Sequence, residues 1–398
     1  MNISARGLSV PPSPIRKLVP YAERAKASGV TIHHLNIGQP DVETPRSFFT
    51  AVGEFSDKVL AYGHSAGLAP LRTAMAEYYQ RLGYDVQPAH VTVTTGGSEA
   101  ILFAMSAICD AGDELICFEP FYTNYNGYAA QACVTLRPVL CHLADGYHLP
   151  PRADIEAAIT PRTRGILVCS PNNPTGTVYR ADEMRLLADI AKERNLYLVA
   201  DEVYREFVYG EVPHTSVLGL RDIDDRVILL DSLSKRYSVC GARIGSVVTR
   251  NEELGRVFLH LGQARLCSPS LEQYGALGLV SLGADYFRVV QAEYHRRRDA
   301  VMAGLRDIPG VEAHTPEGAF YVMAKVPVRD AGAFATWLLT DFRLDGETVM
   351  VAPGDGFYAT AGRGKDEIRI AYVLEVERLH RATRCLQAAL AAYPGRTR

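Results

Sequence analysis

The sequence predicts an α/β protein. A large domain holds a seven-stranded, mostly parallel sheet between helices, and a smaller α+β domain combines the C-terminal part with the N-terminal segment. Seven short apolar runs recur between residues 91 and 249, helical patterns lie between many of them, and the pattern changes after about residue 282. Alternating strands and helices are typical of a parallel sheet covered on both faces.

The seven predicted strands are rich in β-branched and apolar residues, and several are unbroken apolar runs. They are VTVT (91–94), ELICF (114–118), VTLRPV (134–139), ILVCS (166–170), LYLVA (196–200), VILLD (227–231) and GSVVT (245–249). An unbroken apolar strand indicates burial on both faces, so we expect these runs to form the central sheet.

Helical spacing of apolar residues predicts helices over 70–83 and 181–194. The C-terminal part reads as a long charged helix over 286–305, strand-like AFYVMAKV and EIRIAYV, and a final amphipathic helix. We expect an N-terminal segment (1–48) that packs with the small domain, a large domain (49–284) and a small domain (285–398).

The composition is that of an ordinary globular protein, with 47% hydrophobic residues, 22% charged residues and a formal net charge of -3. This charge disfavours a nucleic-acid partner. The eight cysteines are scattered without a Cys-x-x-Cys pair, which indicates reduced thiols and no metal site. Neither a signal peptide nor a membrane span is evident, so we expect a cytoplasmic protein without a membrane partner.

Polar residues follow the predicted strands at their carboxyl ends. TGGSEA follows the first strand, and its Gly96, Gly97 and Ser98 could form a phosphate cradle at a helix N-terminus or a simple turn with a capping serine. PNNPTG, with Asn173, is first of all a turn signal. Asp201 directly follows a buried strand, where a carboxylate needs a cation or a protonated ring.

The last of these segments, SLSKRYSVCGARIG, contains one lysine between two serines and an arginine. Ligands of open α/β sheets lie beyond the carboxyl ends of the strands, so we expect one site. The set suits pyridoxal 5'-phosphate. It comprises a phosphate cradle, the carboxylate of Asp201, the phenol of Tyr204, the amide of Asn173, the lysine and the arginine of GARIG. This cofactor needs a lysine for its Schiff base, a carboxylate for its pyridinium nitrogen and donors for its phosphate.

At this point the sequence resembles the fold-type I pyridoxal-phosphate enzymes, and within them the class I/II aminotransferases typified by aspartate aminotransferase. The resemblance covers nearly the whole chain. Its motifs, in order, are LNIGQPDVETP, YGHSAGLAPLR, TGGSEA, PFYTNY, PNNPTG, DEVY, SLSK with GARIG, PEGAFY, VAPGDGFY and EIRIAYV.

The resemblance implies roles for the central residues. Lys235 would form the Schiff base and then move a proton between the substrate α-carbon and the cofactor. Asp201 would hold the pyridinium nitrogen, and Asn173 and Tyr204 would hydrogen-bond the phenolic oxygen. Tyr122 would stack on the ring, although an ordinary core tyrosine is the alternative.

The resemblance also implies how the phosphate and the substrate are held. The phosphate ligands would be Gly96, Gly97, Ser98, Ser232, Ser234 and Arg243. Tyr62 would reach the phosphate of a neighbouring subunit, so the active unit would be a homodimer with shared sites. Arg369 would bind the substrate α-carboxylate with Asn173 nearby, and Gly38 would lie over the substrate.

The implied reaction is ping-pong transfer of an amino group from an L-amino acid, such as aspartate, glutamate or an aromatic one, to a 2-oxo acid such as 2-oxoglutarate. The same scaffold also supports C–S lyase, cyclase, decarboxylase and oxidase chemistry, and the motifs around Lys235 do not separate these reactions. A DNA-binding regulator would need a basic module ahead of LNIGQP, and too few residues precede that motif for one. A nicotinamide dehydrogenase would need G-x-G-x-x-G after the first strand, and TGGSEA does not match it. Both functions are therefore disfavoured.

Several polar residues lie outside these implied roles. Arg236 and Cys240 depart from the family pattern and leave the subgroup open. We offer Arg265 as a reader of an acidic substrate side chain, with a solvated helix-end arginine as the alternative. Adjacent residues on a strand face opposite ways, so we interpret His33 and His34 as structural and expect no metal.

Overall fold

The computed structural model describes residues 2–210 and 212–397. The helices of this part are α1 Ala5–Ser9, α2 Val19–Ala27, α3 Arg46–Gly53, α4 Ala69–Arg81, α5 Gly96–Ile108, α6 Asn124–Ala132, α7 Arg152–Ala157, α8 Ala181–Glu193, α9 Leu233–Arg236, α10 Glu252–Arg265, α11 Ser270–Val280, α12 Ala284–Arg306, α13 Ala331–Thr340 and α14 Val376–Ala392. The strands are β1 Thr31–His34, β2 Val91–Thr95, β3 Glu114–Glu119, β4 Thr135–Leu140, β5 Thr163–Cys169, β6 Tyr197–Asp201, β7 Val227–Ser232, β8 Ile244–Val248, β9 Glu312–Ala313, β10 Tyr321–Lys325, β11 Glu347–Met350, β12 Ala352–Pro353 and β13 Glu367–Ala371. In these two stretches, no helix has the length and apolar character that crossing a membrane requires.

The predicted central sheet is confirmed, and each of the seven apolar runs supplies one of its strands. The strand order is β2-β8-β7-β6-β5-β3-β4. The pairs β7/β6, β6/β5, β5/β3 and β3/β4 are parallel, whereas β8 runs antiparallel to both of its neighbours. The sheet is therefore mixed and mostly parallel, as the unbroken apolar runs predicted.

Helices cover both faces of this sheet. Leu198 on β6 packs into one apolar core with Leu187 of α8, whereas the next residue, Val199, packs into a second core with Met105 of α5. Side chains of a strand alternate between faces, so each face needs its own apolar cover. This double burial is why the strands are apolar at nearly every position.

A third core joins the two ends of the chain. The strand order of its main sheet is β12-β13-β10-β9, and β1 pairs in parallel with β11. Ile32, Val322 and Leu386 pack into this one core, so residues from the N-terminal segment and the C-terminal part lie together. His33 is fully buried, with Nε2 3.0 Å from a carboxylate oxygen of Glu347, and burial lowers the pKa of His33 to about 4.

The polar segments follow the carboxyl ends of the strands and therefore lie at one edge of the sheet. Asp201 is the last residue of β6, and the turn after β7 becomes α9, which carries Lys235. The N-terminus of α5 begins at Gly96, directly after β2. The polar segments that follow these strands in the sequence are therefore neighbours in space.

Candidate active site

A cavity of about 380 Å³ opens at this edge of the sheet. It collects most of the residues singled out in the sequence. Those that line it are Gly38, Gly97, Ser98, Tyr122, Asn173, Asp201, Tyr204, Ser232, Ser234, Lys235, Arg243 and Arg369. Tyr62 does not line it, and 80% of its surface is exposed.

One end of the cavity is built from hydroxyls, a guanidinium and a helix N-terminus. The hydroxyl of Ser232 donates to Oγ of Ser234 over 2.8 Å. Gly96 starts α5 with a φ of +71°, and a Cβ there would lie 2.4 Å from Nη2 of Arg243. Only glycine allows this close approach, which places backbone N–H groups and a fixed positive charge together. This end can bind a dianionic phosphate.

The amine of Lys235 lies beside this end. Its Nζ donates a hydrogen bond to the carbonyl oxygen of Gly38 over 2.9 Å and lies 3.8 Å from Sγ of Cys240. Lys235 belongs to the short helix α9, whose start is capped by the Ser232 side chain. The amine is thus held in the cavity by the same turn that presents the two serines.

Asp201 provides the negative charge of the cavity. Its carboxylate accepts hydrogen bonds from the Tyr125 hydroxyl over 2.7 Å and from the backbone N–H of Val203 over 3.3 Å. Burial raises the pKa of Asp201 to about 6, although these two hydrogen bonds act in the opposite direction. Asp201 makes no ion pair with the described residues, so it is suited to a cationic ligand group.

Arg369 is a buried arginine without a carboxylate partner among residues 2–210 and 212–397. It donates to Oδ1 of Asn173 over 2.9 Å and to the carbonyl oxygen of Asn36 over 2.6 Å, while its Nε has no partner. Its guanidinium lies 4.5 Å from the centre of the Tyr321 ring. Burial lowers the pKa of Arg369 because the charge has lost its water. A bound anion would restore this charge balance.

Known proteins resemble this chain in both sequence and structure. The family model described as "Aminotransferase class I and II" matches residues 31–386. The chain belongs to this family. It is 30% identical to a probable aspartate/prephenate aminotransferase of Aquifex aeolicus, over 98% of both chains. The crystal structure of an aspartate aminotransferase from Thermotoga maritima superposes with a TM-score of 0.90 at 28% identity, covering 98% of this chain and all of that one. An alanine aminotransferase from Pyrococcus furiosus gives a TM-score of 0.89 at 29% identity, covering 97% and 99%.

This aminotransferase has a cavity that fits the cofactor of its family, pyridoxal phosphate. The unpaired Asp201 suits a protonated ring nitrogen, and the amine of Lys235 suits an aldehyde carbon. The glycine turn at Gly96 and the guanidinium of Arg243 suit the phosphate. Each part of the cofactor therefore has a matching group, although these roles stay predictions.

Three further tyrosines belong to the site and were not singled out from the sequence. The Tyr125 hydroxyl donates to Asp201, and that of Tyr128 donates to Oγ of Ser98 over 2.8 Å. The hydroxyl of Tyr321 lies 2.8 Å from that of Tyr204. The segment YTNYNGY could have indicated the first two, because tyrosines spaced by three fall on one face of a helix.

The position of Arg265 does not support the hypothesis that this residue binds a substrate side chain. It lies outside the residues that line the cavity, and its guanidinium donates to Oγ of Ser268 over 3.0 Å and to the carbonyl oxygen of Val93 over 3.1 Å. Its Nε also lies 3.3 Å from a carboxylate oxygen of Glu99. Within this chain Arg265 ties the end of α10 to β2 and to α5.

Arg236 and Cys240, the two departures from the family pattern, have different surroundings. Arg236 is buried and pairs with Asp231, and its guanidinium lies 4.7 Å from the centre of the Tyr78 ring. It does not line the cavity, so it cannot contact a substrate there. Cys240 does line the cavity, and its thiol donates to the carbonyl oxygen of Ser234 over 3.3 Å.

Proposed function

We propose that this aminotransferase binds pyridoxal phosphate in the cavity and transfers the amino group of an L-amino acid to a 2-oxo acid in two half-reactions. The observation that carries the proposal is a single cavity holding an amine, an unpaired carboxylate and an unpaired buried guanidinium. These are Lys235, Asp201 and Arg369. Each suits a different part of the cofactor and substrate pair.

The cofactor would be held at both ends. Gly96, Gly97, Ser98, Ser232, Ser234 and Arg243 would bind the phosphate, and Asp201 would pair with the ring nitrogen. The hydrogen bond from Tyr128 leaves the hydroxyl proton of Ser98 free to donate to a phosphate. Tyr122 would lie against the ring, and the hydroxyl of Tyr204 would bond to the phenolic oxygen with Asn173.

When bound, pyridoxal phosphate supplies an electron sink for the negative charge that develops at the substrate α-carbon. The chain supplies the rest. Nζ of Lys235 takes the proton from the α-carbon as a general base and returns a proton as a general acid. Arg369 binds the substrate α-carboxylate, and Asn173 fixes the orientation of that guanidinium. Asp201 stays ionised because the cationic ring faces it.

The amino donor is proposed to be aspartate, glutamate or an aromatic amino acid, with 2-oxoglutarate as an acceptor. Relatives named aspartate aminotransferase support this choice, since those of Bacillus subtilis and Thermotoga maritima are 28% and 30% identical to this chain. Arg369 itself does not discriminate, because every amino acid carries the carboxylate that it would bind. The side-chain specificity must come from other residues at the mouth of the cavity.

We also propose a cytoplasmic homodimer in which each protomer has a large domain (49–284), a small domain (285–398) and an N-terminal segment (1–48) that packs with the small domain. The shared core of Ile32, Val322 and Leu386 supports the last point. Tyr62 would complete the phosphate site of the neighbouring protomer. Its exposure supports this role, because the side chain is free to contact a second copy.

The test is a donor panel assayed with 2-oxoglutarate while the cofactor absorbance is recorded. We expect glutamate to accumulate in equal amount with the 2-oxo acid of the donor. Borohydride reduction followed by peptide mapping should place the cofactor on Lys235, and a Lys235→Ala protein should lose this attachment. Release of ammonia and pyruvate without a new amino acid would indicate a lyase instead, and cofactor attached to another residue would exclude this site.

A further inference from the structure

The cavity contains one more positive charge than the proposed cofactor and α-carboxylate require. In the part of the chain that the structure describes, four cationic residues line it, and they are Arg16, Lys235, Arg243 and Arg369. Lys235, Arg243 and Arg369 already have partners in the proposed chemistry: the cofactor aldehyde, the phosphate and the substrate α-carboxylate. Arg16 has none, and the sequence motifs did not single it out.

Arg16 comes from the N-terminal segment. It begins a short 3₁₀ turn, Arg16–Leu18, and its backbone N–H donates to Oγ of Ser13 over 3.3 Å. Leu18 in the same turn is buried in the core shared by both chain ends, which anchors the turn. The Arg16 side chain is exposed and forms no ion pair with the residues that the structure describes. Arg16 therefore adds a positive charge without an ion-pair partner to the lining of the cavity.

Apolar groups lie next to this charge. Ile15 and Ile37 both line the cavity, and Gly38, which follows Ile37, accepts the hydrogen bond from Lys235. A dicarboxylic amino acid has one or two methylene groups between its α-carbon and its distal carboxylate. Ile15 and Ile37 can cover these methylenes, and a guanidinium beyond them can bind the distal carboxylate in a bidentate manner.

We propose that Arg16 is a specificity-determining residue that binds the distal carboxylate of aspartate or glutamate. Arg265, the candidate from the sequence, is committed to Ser268, Val93 and Glu99 within this chain. The proposal rests on the proposed transamination and names the substrate class of the same site. It also gives the N-terminal segment a function, since Ser13, Ile15 and Arg16 then form part of the substrate wall.

The test compares Arg16→Gln with the parent enzyme in single-turnover half-reactions with L-aspartate, L-glutamate and L-alanine, followed through the cofactor absorbance. For Arg16→Gln we expect the ratio of the limiting rate constant to the apparent dissociation constant to fall about tenfold to a hundredfold for the two dicarboxylic donors, mostly through weaker binding. The value for L-alanine should stay within about threefold. Arg16→Lys should recover part of the loss, because it keeps the charge without the planar fork.

A binding measurement gives a readout independent of turnover. The dissociation constant of maleate, a dicarboxylate that cannot react, should rise in Arg16→Gln, whereas that of acetate should not change. Lys17→Gln is the matched control, because Lys17 is the neighbouring exposed cation and does not line the cavity. It should leave both constants and all three donors unaffected.

Three outcomes would overturn the assignment. The loss could be equal for alanine and aspartate, which would make Arg16 a general part of the mouth. The dicarboxylic donors could be unaffected. The parent could transaminate alanine but neither dicarboxylate, which would reject the substrate class while leaving the proposed function intact. Absence of transamination with every donor would reject the proposed function itself.

Discussion

Two residues of the cavity carry opposite charges that the described part of the chain does not neutralise. Asp201 is held by a phenol and a backbone N–H, and Arg369 by an amide and a backbone carbonyl. Such hydrogen bonds fix the orientation of a charged group without cancelling its charge. The two residues are therefore preorganised for ligands of opposite sign, at a cost in stability when those ligands are absent.

For Asp201 this cost has a defined pH dependence. Its pKa is about 6 in the folded chain, against an ordinary value near 3.8. The folded state therefore binds the proton more tightly than the unfolded state. The stabilisation from that proton is complete below about pH 4 and is lost as the pH rises through 6.

We therefore expect Asp201→Asn to stabilise the cofactor-free chain at pH 8, by at most about 3 kcal/mol, and to have no effect near pH 4. Urea unfolding of the two proteins at both pH values measures the difference. Asp222→Asn is an informative control because Arg185 and Lys192 hold the pKa of the exposed Asp222 at about 2, so that change should destabilise at pH 8. A destabilised Asp201→Asn protein at pH 8 would contradict the assigned cost.

The sequence predicted these central residues because the carboxyl ends of parallel strands meet at one edge. Asp201, Asn173 and Lys235 each lie at or shortly after the end of a predicted apolar strand. Arg16 could not be found in this way, since its place at the cavity depends on how the N-terminal segment packs. For Arg265 the sequence indicated a position near a helix end but not the hydrogen bonds that occupy its guanidinium.

At the scale of elements, α4 supports the two turns that carry the site. The Tyr79 hydroxyl donates to Asp231 over 2.6 Å, and the neighbouring Tyr78 donates to Glu206. Asp231 precedes the turn of Lys235, and Glu206 follows that of Tyr204. Arg236 lies over the Tyr78 ring and pairs with Asp231. Together these contacts link α4 to the turn of Lys235 and to the turn of Tyr204.

Arg236→Met should destabilise the protein by about 3–5 kcal/mol, because it leaves the buried Asp231 charge without its cation. The double variant Asp231→Asn/Arg236→Met should recover most of that loss, since neither charge is then left unpaired. Urea unfolding provides both values. The control Arg288→Met removes an exposed arginine on α12 and should change stability by less than about 0.5 kcal/mol. A single variant as stable as this control would show that the pair does not stabilise the fold.

For elements, the sequence was informative where apolar patterns are long. The seven central strands, α4, α8, α12 and α14 all lie where the patterns predicted them. Short elements such as β9 and β12 have only two residues each, and their pairing is decided by tertiary contacts that no local pattern encodes. The parallel pair β1 and β11 joins segments more than 300 residues apart, which a local pattern cannot predict either.

On the scale of the whole molecule, the surface near Tyr62 exposes several large apolar side chains. Val59, Leu60 and Tyr62 expose 72%, 55% and 80% of their surface, and they lie in one segment before α4. Grouped exposed apolar side chains mark an interaction surface. A second copy would cover them and, in the proposed dimer, would bring Tyr62 to the partner's phosphate site.

Subunit mixing tests this shared site directly. Lys235→Ala protomers lack the amine but keep Tyr62, whereas Tyr62→Ala protomers keep the amine and lack the tyrosine. A mixed dimer then has one site with both residues, built from Lys235 of one protomer and Tyr62 of the other, and one site with neither. Since random mixing makes half of the dimers mixed, we expect about a quarter of the parent activity to return after equal amounts are unfolded and refolded together. Each variant refolded alone is the control. If the mixture is no more active than the mean of these two controls, Tyr62 serves its own protomer or no active site.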